Sequence, residues 1–226
     1  MLFARDAQAM LRKAVDDLSW LRTRGYAEPS ALKLVGDRYQ LRRRQRVAVG
    51  RCACADNKRA SRAEREVDPT DMAGRALLID GLNVLTTIEV ALSRGVLLLG
   101  QDGCMRDMAS FHGNYRLVRE TERAVEILVE VVDEMKPAEA IVYLDRPVSN
   151  SGRLAEIIRR TAASAGSDVQ AQTADRVDEL LKSATAVAAT ADSAILDACD
   201  QWLCLARLAV ESHRNEVEPI WLLDFS

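Results

Sequence analysis

One stretch limits what this chain can fold into more than any other: Arg75-Ala76-Leu77-Leu78-Ile79-Asp80-Gly81-Leu82-Asn83. An apolar run without alternation suits a strand buried on both faces, as in a parallel sheet. The run stops at a carboxylate, a glycine and, two residues later, an amide. In open α/β sheets, ligands lie beyond the carboxyl ends of the strands. Asp80 is therefore expected on a rigid element yet open to solvent. Gly81 is expected to let the chain turn sharply and a ligand approach the backbone. The rest of the chain can be judged by whether it brings more carboxylates to that end of that sheet.

The pattern returns twice. Ala140-Ile141-Val142-Tyr143-Leu144 ends in Asp145, and the small-residue run Thr185–Thr190 ends in Ala191-Asp192-Ser193. Further strands are expected at 168–173 and at Pro219–Asp224. Helices are expected over 83–93, 121–135, from about 151 to Gly166, and from 193 to about 211. Alternation of this kind predicts an α/β fold, a Rossmann-like parallel sheet with helices on both faces. Val96–Gly100 reads as an extra strand or a buried turn. Residues 101–119 read as a polar insertion, in which His112 is either a phosphate contact or structural.

In a parallel sheet Asp80, Asp145 and Asp192 share one edge. Asp178, or Asp175, on a short helix before the last of these strands adds a carboxylate. Such a cluster repels itself unless cations are bound, and all-oxygen ligands suit Mg²⁺ or Mn²⁺. The ion would activate water and neutralise charge on a phosphodiester. The expected metal ligands are Asp80, Asp145 and Asp192, with Asp178 joining them as a catalytic acid. Asn83 and Ser193 would steady ligands or waters from behind. Each acid also has an ordinary role: a turn at Asp80, a turn or ion pair at Asp145, an N-cap at Asp192. After Asp145, Ser149-Asn150-Ser151-Gly152-Arg153 opens a helix, where free N–H groups favour phosphate. Ser149, Ser151 and Arg153 are candidate phosphate contacts, with simple N-capping as the alternative.

The first 60 residues read differently. Ala7, Met10, Leu11, Ala14, Leu18 and Leu21 mark an amphipathic helix over 3–24, capped by Gly25. A second helix runs from Pro29 to Gly36, and a third from near Leu41 carries Arg42, Arg43, Arg44 and Arg46. The outline resembles a helix-turn-helix. Cys52-x-Cys54 has no second cysteine pair and too few histidines around it for structural zinc. The expected division is a basic helical domain over 1–60, a linker over 61–74 and an α/β domain over 75–226.

Charge follows that division. Residues 1–70 hold 16 Lys and Arg against 9 Asp and Glu, and the remainder holds 15 against 25. A basic front beside an acidic body suits a polyanion gripped by one and metal held by the other, and Arg42, Arg43 and Arg44 are the candidate grip. A solvated helix face is the plainer reading of those arginines. No apolar run reaches the eighteen or so residues needed to span a bilayer, and no secretory signal is visible. Five cysteines embedded in apolar patterns favour a reducing cytoplasm.

Ile79-Asp80-Gly81-Leu82-Asn83 and Thr190-Ala191-Asp192-Ser193-Ala194-Ile195 resemble the PIN/NYN-like nucleases. The whole chain resembles a family of uncharacterised prokaryotic proteins that pair a small helical domain with a PIN-like domain. That wider resemblance rests on Leu21–Tyr26, Leu34–Leu41, Arg106-Asp107 and Ser149–Gly152. It implies a Mg²⁺- or Mn²⁺-dependent endoribonuclease. Asp80 and Asp192 match the acid motif directly, whereas Asp145 and Asp178 match by order and context. Glu89 and Glu126 are the candidates for an acid that PIN enzymes carry on an early helix. RNA is the first expected partner and DNA the second; no membrane is implied, and a homodimer stays open. A non-catalytic RNA- or nucleotide-binding module is the alternative. A phosphate-processing enzyme is a third reading, which the absence of GxGxxG and GxxxxGK[ST] loops weakens.

Overall fold

Helices come first in the chain: Arg5–Thr23 (α1), Glu28–Arg38 (α2), Arg43–Cys52 (α3) and Asp56–Arg65 (α4). Ala76–Asp80 (β1) leads into Gly81–Leu92 (α5), Val96–Leu99 (β2), Met105–Arg106 (β3) and Thr121–Met135 (α6). Glu139–Asp145 (β4), Ser151–Ala165 (α7), Gln170–Ala174 (β5), Val177–Ser183 (α8), Val187–Ala189 (β6) and Ser193–Leu196 (α9) follow. Gln201–Leu203 (β7), Leu205–Ser212 (α10), Arg214–Val217 (α11) and Trp221–Asp224 (β8) end the order. This computed structural model describes residues 2–109 and 114–226. His112 lies outside them.

The chain divides into two units, and neither is continuous. One comprises Met1–Glu64, Val96–Met108 and Trp221–Ser226; the other comprises Arg65–Gly95 and Ala109–Ile220. The division expected from composition, with cuts near 60 and 75, misses both excursions. The supposed linker is ordered. Its polar residues form α4, in which Arg62 is buried, and a 3₁₀ turn over Pro69–Asp71 capped by Asp68.

The larger unit is built on a five-stranded parallel sheet of order β5-β4-β1-β6-β7. Leu77 and Ile79 share a pleat with Ala140, Val142, Leu144, Val187 and Ala189, and that face packs on α5, α6 and α7. Helix α6 brings Ala124, Ile127, Leu128, Val131 and Val132 to it, each burial of a large aliphatic chain contributing roughly 1.5–3 kcal/mol. The opposite pleat is buried too, at Leu78, Ile141, Ala188 and Trp202. Helix α8 packs against β1, β4 and α9. The edge strand β5 is guarded by arginines: Arg159 Nη1 donates to Ala171 O at 3.0 Å and Arg146 Nη2 to Thr173 O at 3.2 Å. Side chains on those carbonyls block another strand from adding there.

The smaller unit packs α1, α2 and α3 around Leu11, Leu18, Val35 and Val49, and its core continues to Leu98 and Leu223. Its sheet has the order β3-β2-β8, with β8 parallel to β2 and β3 antiparallel. Val96–Leu99 and Trp221–Asp224 are thus strands, but of this second sheet. Gly36 does not end the second helix. It lies inside α2, where a side chain would run into the Arg46 guanidinium. Buried charge marks this unit. Asp102 accepts from both terminal nitrogens of Arg106, at 2.8 and 2.6 Å, and also from Arg62. Burial pushes the Asp102 carboxyl up, but the two guanidiniums prevail and hold it below the usual carboxylate range. Cys52 is inert by the same burial, its thiol pushed up to about 12. Among the described residues no helix is long and apolar enough to cross a membrane.

Candidate active site at the sheet edge

The carboxyl edge of β4, β1 and β6 gathers the acids. Asp80 stands opposite Tyr143 on β4, and Ile79 opposite Ala189 on β6. By that register Thr190 is level with Asp80. Asp145 ends β4 two residues later, and Asp192 lies in the loop after β6 as the N-cap of α9. At about 3.3 Å per residue this sets Asp145 about 7 Å further along. Asp178, in the first turn of α8, completes the group, since its charge acts on both Asp80 and Asp145.

Asp80 is the buried member, 8% exposed. It caps α5: its Oδ1 accepts the Asn83 N–H at 3.3 Å, and its Oδ2 accepts the Thr190 hydroxyl at 2.9 Å. Desolvation pushes its carboxyl up to about 7; the two hydrogen bonds oppose this, while Asp192 and Asp178 add to it. Gly81 serves packing rather than a turn. A Cβ there would meet Val142 Cγ1 at 2.6 Å, Leu144 Cδ2 at 2.7 Å and Tyr143 O at 3.0 Å. Its bare backbone lets the start of α5 lie against β4.

Two polar side chains lace Asp80 to the Asp192 loop. Thr190 Oγ1, which donates to Asp80, also accepts the Asp192 N–H at 3.1 Å. Asn83 Oδ1 accepts the Ala191 N–H at 2.9 Å. Asn83 therefore steadies the site through backbone. Thr190 was not singled out from sequence, although a hydroxyl two residues before a strand-end acid was its visible signal. Asp192 is exposed and N-caps α9, its Oδ1 accepting from Ala194 N at 2.7 Å and Ile195 N at 3.3 Å. Ser193 is the exposed first residue of that helix. Asp145 is half-buried. Burial first and Asp178 second push it up, against the Val177 N–H at the start of α8. Asp175 belongs elsewhere, paired with Arg146 at 3.0 Å. Among the described residues no arginine or lysine pairs with Asp80, Asp145, Asp178 or Asp192.

The acids share an edge without closing on a common point. Among the described residues no three His, Cys, Asp or Glu side chains stand close enough together to hold an ion. The expectation that Asp80, Asp145 and Asp192 come within reach of one or two metal ions is therefore carried forward as a proposal. The donors still suit Mg²⁺, which usually takes one or two carboxylates and fills its shell with water and substrate phosphate. The early-helix acid is not found at this edge. Glu89 lies nine residues along α5 from Asp80, about 13 Å at 1.5 Å per residue, buried and accepting the hydroxyls of Tyr115 and Thr121. Glu126 is exposed and paired with Arg123 at 3.0 Å.

Beyond Asp145 the loop is held by its own hydroxyls. Ser151 is buried and donates to Asp145 O at 2.6 Å; Ser149 donates to Asn114 Oδ1 and Tyr115 O, each at 3.3 Å. Neither caps α7, whose N-cap is Asn150 in the left-handed region at φ 65° without a side-chain cap bond. Arg153 is exposed on the first turn. In the smaller unit Arg42, Arg43 and Arg44 are exposed without ion pairs at the start of α3, whereas Arg46 is committed to Asp37 at 2.8 Å.

The model of the family described as "Domain of unknown function (DUF5616)" matches residues 69–208, and that described as "Protein of unknown function (DUF434)" matches residues 10–65. An uncharacterised protein of Methanocaldococcus jannaschii is 29% identical over 186 residues, covering 82% of this chain and 88% of the relative. No solved structure matches.

Proposed function

We propose that this chain, which belongs to the DUF5616 family, is a Mg²⁺- or Mn²⁺-dependent ribonuclease with a PIN-like catalytic domain. One observation carries the reading: among the described residues, no cationic side chain pairs with any of four carboxylates at one sheet edge, centred on buried Asp80. A protein that keeps such a cluster loses stability by it, and functional sites are where that cost recurs. The resemblance of Ile79–Asn83 and Thr190–Ile195 to PIN/NYN nucleases points the same way.

Asp80, with Asp192 or Asp145 beside it, would hold the cation. When bound, the ion lowers the pKa of water and offsets charge on the phosphodiester. The protein's own part is positional. Thr190 and Asn83 keep Asp80 and the Asp192 loop in register. Asp145, its carboxyl raised by burial and by Asp178, is placed to take a proton from water. Arg153 reaches solvent just past Asp145, where it would meet a backbone phosphate. Ser149 and Ser151 shape that loop by their bonds to backbone and Asn114. Arg42, Arg43 and Arg44 supply sequence-independent grip on RNA, and on DNA more weakly.

A second reading is a module that binds RNA or a nucleotide without cutting it. That no three acids among the described residues stand within reach of one ion favours it. Incubation of unstructured RNA with the protein and Mg²⁺ or Mn²⁺ separates the two. Cleavage that stops in chelator and in Asp80→Asn supports the nuclease. RNA retention without cleavage under either metal supports the module, and cleavage undiminished in Asp80→Asn overturns the site.

A further inference from the structure

The smaller unit carries a feature that neither acids nor free arginines explain. Trp20 on α1 is 52% exposed and Leu34 on α2 is 59% exposed. Both are large apolar side chains, and they face one cavity of about 570 Å³ completed by Leu21, Val35 and Arg38. That volume falls within the roughly 300–1,000 Å³ of sites that take small flat ligands. The Trp20 ring is already stacked, with the Arg24 guanidinium 3.5 Å from its centroid. A guanidinium held against one face of an indole is a cation–π contact that restrains the ring plane.

The acids at the rim are engaged. Asp17 Oδ2 accepts the Tyr39 hydroxyl at 2.8 Å and pairs with Arg38 Nε at 3.5 Å. Asp16 Oδ1 accepts from Gln101 at 3.1 Å. Arg38 lines the cavity, and Arg42, the first of the three unpaired arginines, follows four residues later. Four residues of chain reach at most about 14 Å, a span of two or three nucleotides of extended strand. Arg43 and Arg44 then open α3, where positive side chains oppose the helix dipole and a phosphate would relieve both.

We infer that the α1–α2 groove is a base-stacking pocket for single-stranded RNA, with Trp20 as the platform and Arg38 to Arg44 as the phosphate track. An aromatic face beside a cationic track is how strands are bound without sequence preference. A duplex keeps its bases stacked on each other and cannot offer one to Trp20. The inference rests on RNA being the partner, and not on cleavage.

The test uses the full-length chain in chelator at low salt, with labelled twelve-nucleotide single strands and the matching duplex, read by fluorescence anisotropy. Single strands should bind more tightly than duplex. Trp20→Ala should weaken single-strand binding roughly 5- to 140-fold, the 1–3 kcal/mol of a stacked base at 1.4 kcal/mol per tenfold. Duplex binding should not move, and Trp20→Phe should retain most of the affinity. Equal loss on single strand and duplex, or no loss in Trp20→Ala, overturns the pocket. The second result is also what a groove built for an apolar peptide would give. Single-strand binding that depends on Trp20 without any metal-dependent cleavage upholds the pocket while removing the nuclease.

Discussion

Replacing Asp80 with asparagine should make the protein more stable while disabling the site. A carboxyl held near 7 in the fold, against about 3.9 in the unfolded chain, stores about 4 kcal/mol at 1.36 kcal/mol per pH decade. The sign follows from where the proton sits. Below about pH 4 both states carry it and Asp80 has no effect. Between pH 4 and 7 the folded chain keeps a proton that the unfolded chain has lost, so stability falls with rising pH. Above 7 the loss is complete. Asparagine does not ionise, and its amide oxygen still accepts from Asn83 N–H, so it forgoes at most about 1 kcal/mol of hydrogen bonding. Asp80→Asn should therefore fall up to about 1 kcal/mol below the wild type near pH 4 and exceed it by about 3 kcal/mol at pH 8. Urea titrations in chelator measure this through the fluorescence of buried Trp202, with Trp20 and Trp221 changed to Phe in both proteins. Mg²⁺ should then raise the stability of the wild type at pH 8 and leave the variant unmoved. A stability difference that stays flat from pH 4 to 8, or a variant that is weaker at pH 8, would refute the reasoning.

Three further perturbations have expected outcomes. Gly81→Ala sets a methyl against Val142, Leu144 and Tyr143 O, and should lower stability by about 1–3 kcal/mol in thermal unfolding, as overpacking does. Asp102→Ala leaves Arg62 and Arg106 buried without their shared carboxylate and should cost about 3–5 kcal/mol in urea unfolding. Changing Arg42, Arg43 and Arg44 together to Ala should flatten the salt dependence of RNA binding, each lost phosphate contact lowering the slope by roughly 0.7–0.9, with urea stability unchanged. Arg46→Ala should instead reduce stability, since it gives up Asp37.

The sheet edge was legible because apolar runs and acids announce themselves locally. β1 and β4 each end on the predicted acid, and the parallel register follows from alternation with helices. What escaped depended on distance along the chain. Val96–Leu99 and Trp221–Asp224 have the composition of any buried strand, and nothing within either says that they pair with each other rather than with β1. β7 is three residues long, too short for periodicity to separate it from the helices around it. The polar run 61–74 read as a linker because the burial of Arg62 involves Asp102, forty positions away. The pairing of Asp80 with Thr190 is likewise non-local. Sequence places both at strand ends, and the register alone sets them level.

The split make-up of the smaller unit bears on how the chain can be made and dissected. β2 is separated from its parallel partner β8 by more than a hundred residues, nearly all of them belonging to the other unit. On a ribosome, the helices α1 to α4 emerge early but wait for Trp221–Asp224 before their sheet can be finished. Until then Leu98 lacks the Leu223 and Phe225 that cover it in the finished core, an exposed apolar strand of the kind that recruits chaperones or aggregates. The same feature predicts trouble for the obvious cut. Expressing 1–60 and 75–226 as separate pieces would leave α1 to α3 without their sheet and β2, β3 and β8 without their helices. A protease acting once between the units would not release either of them intact.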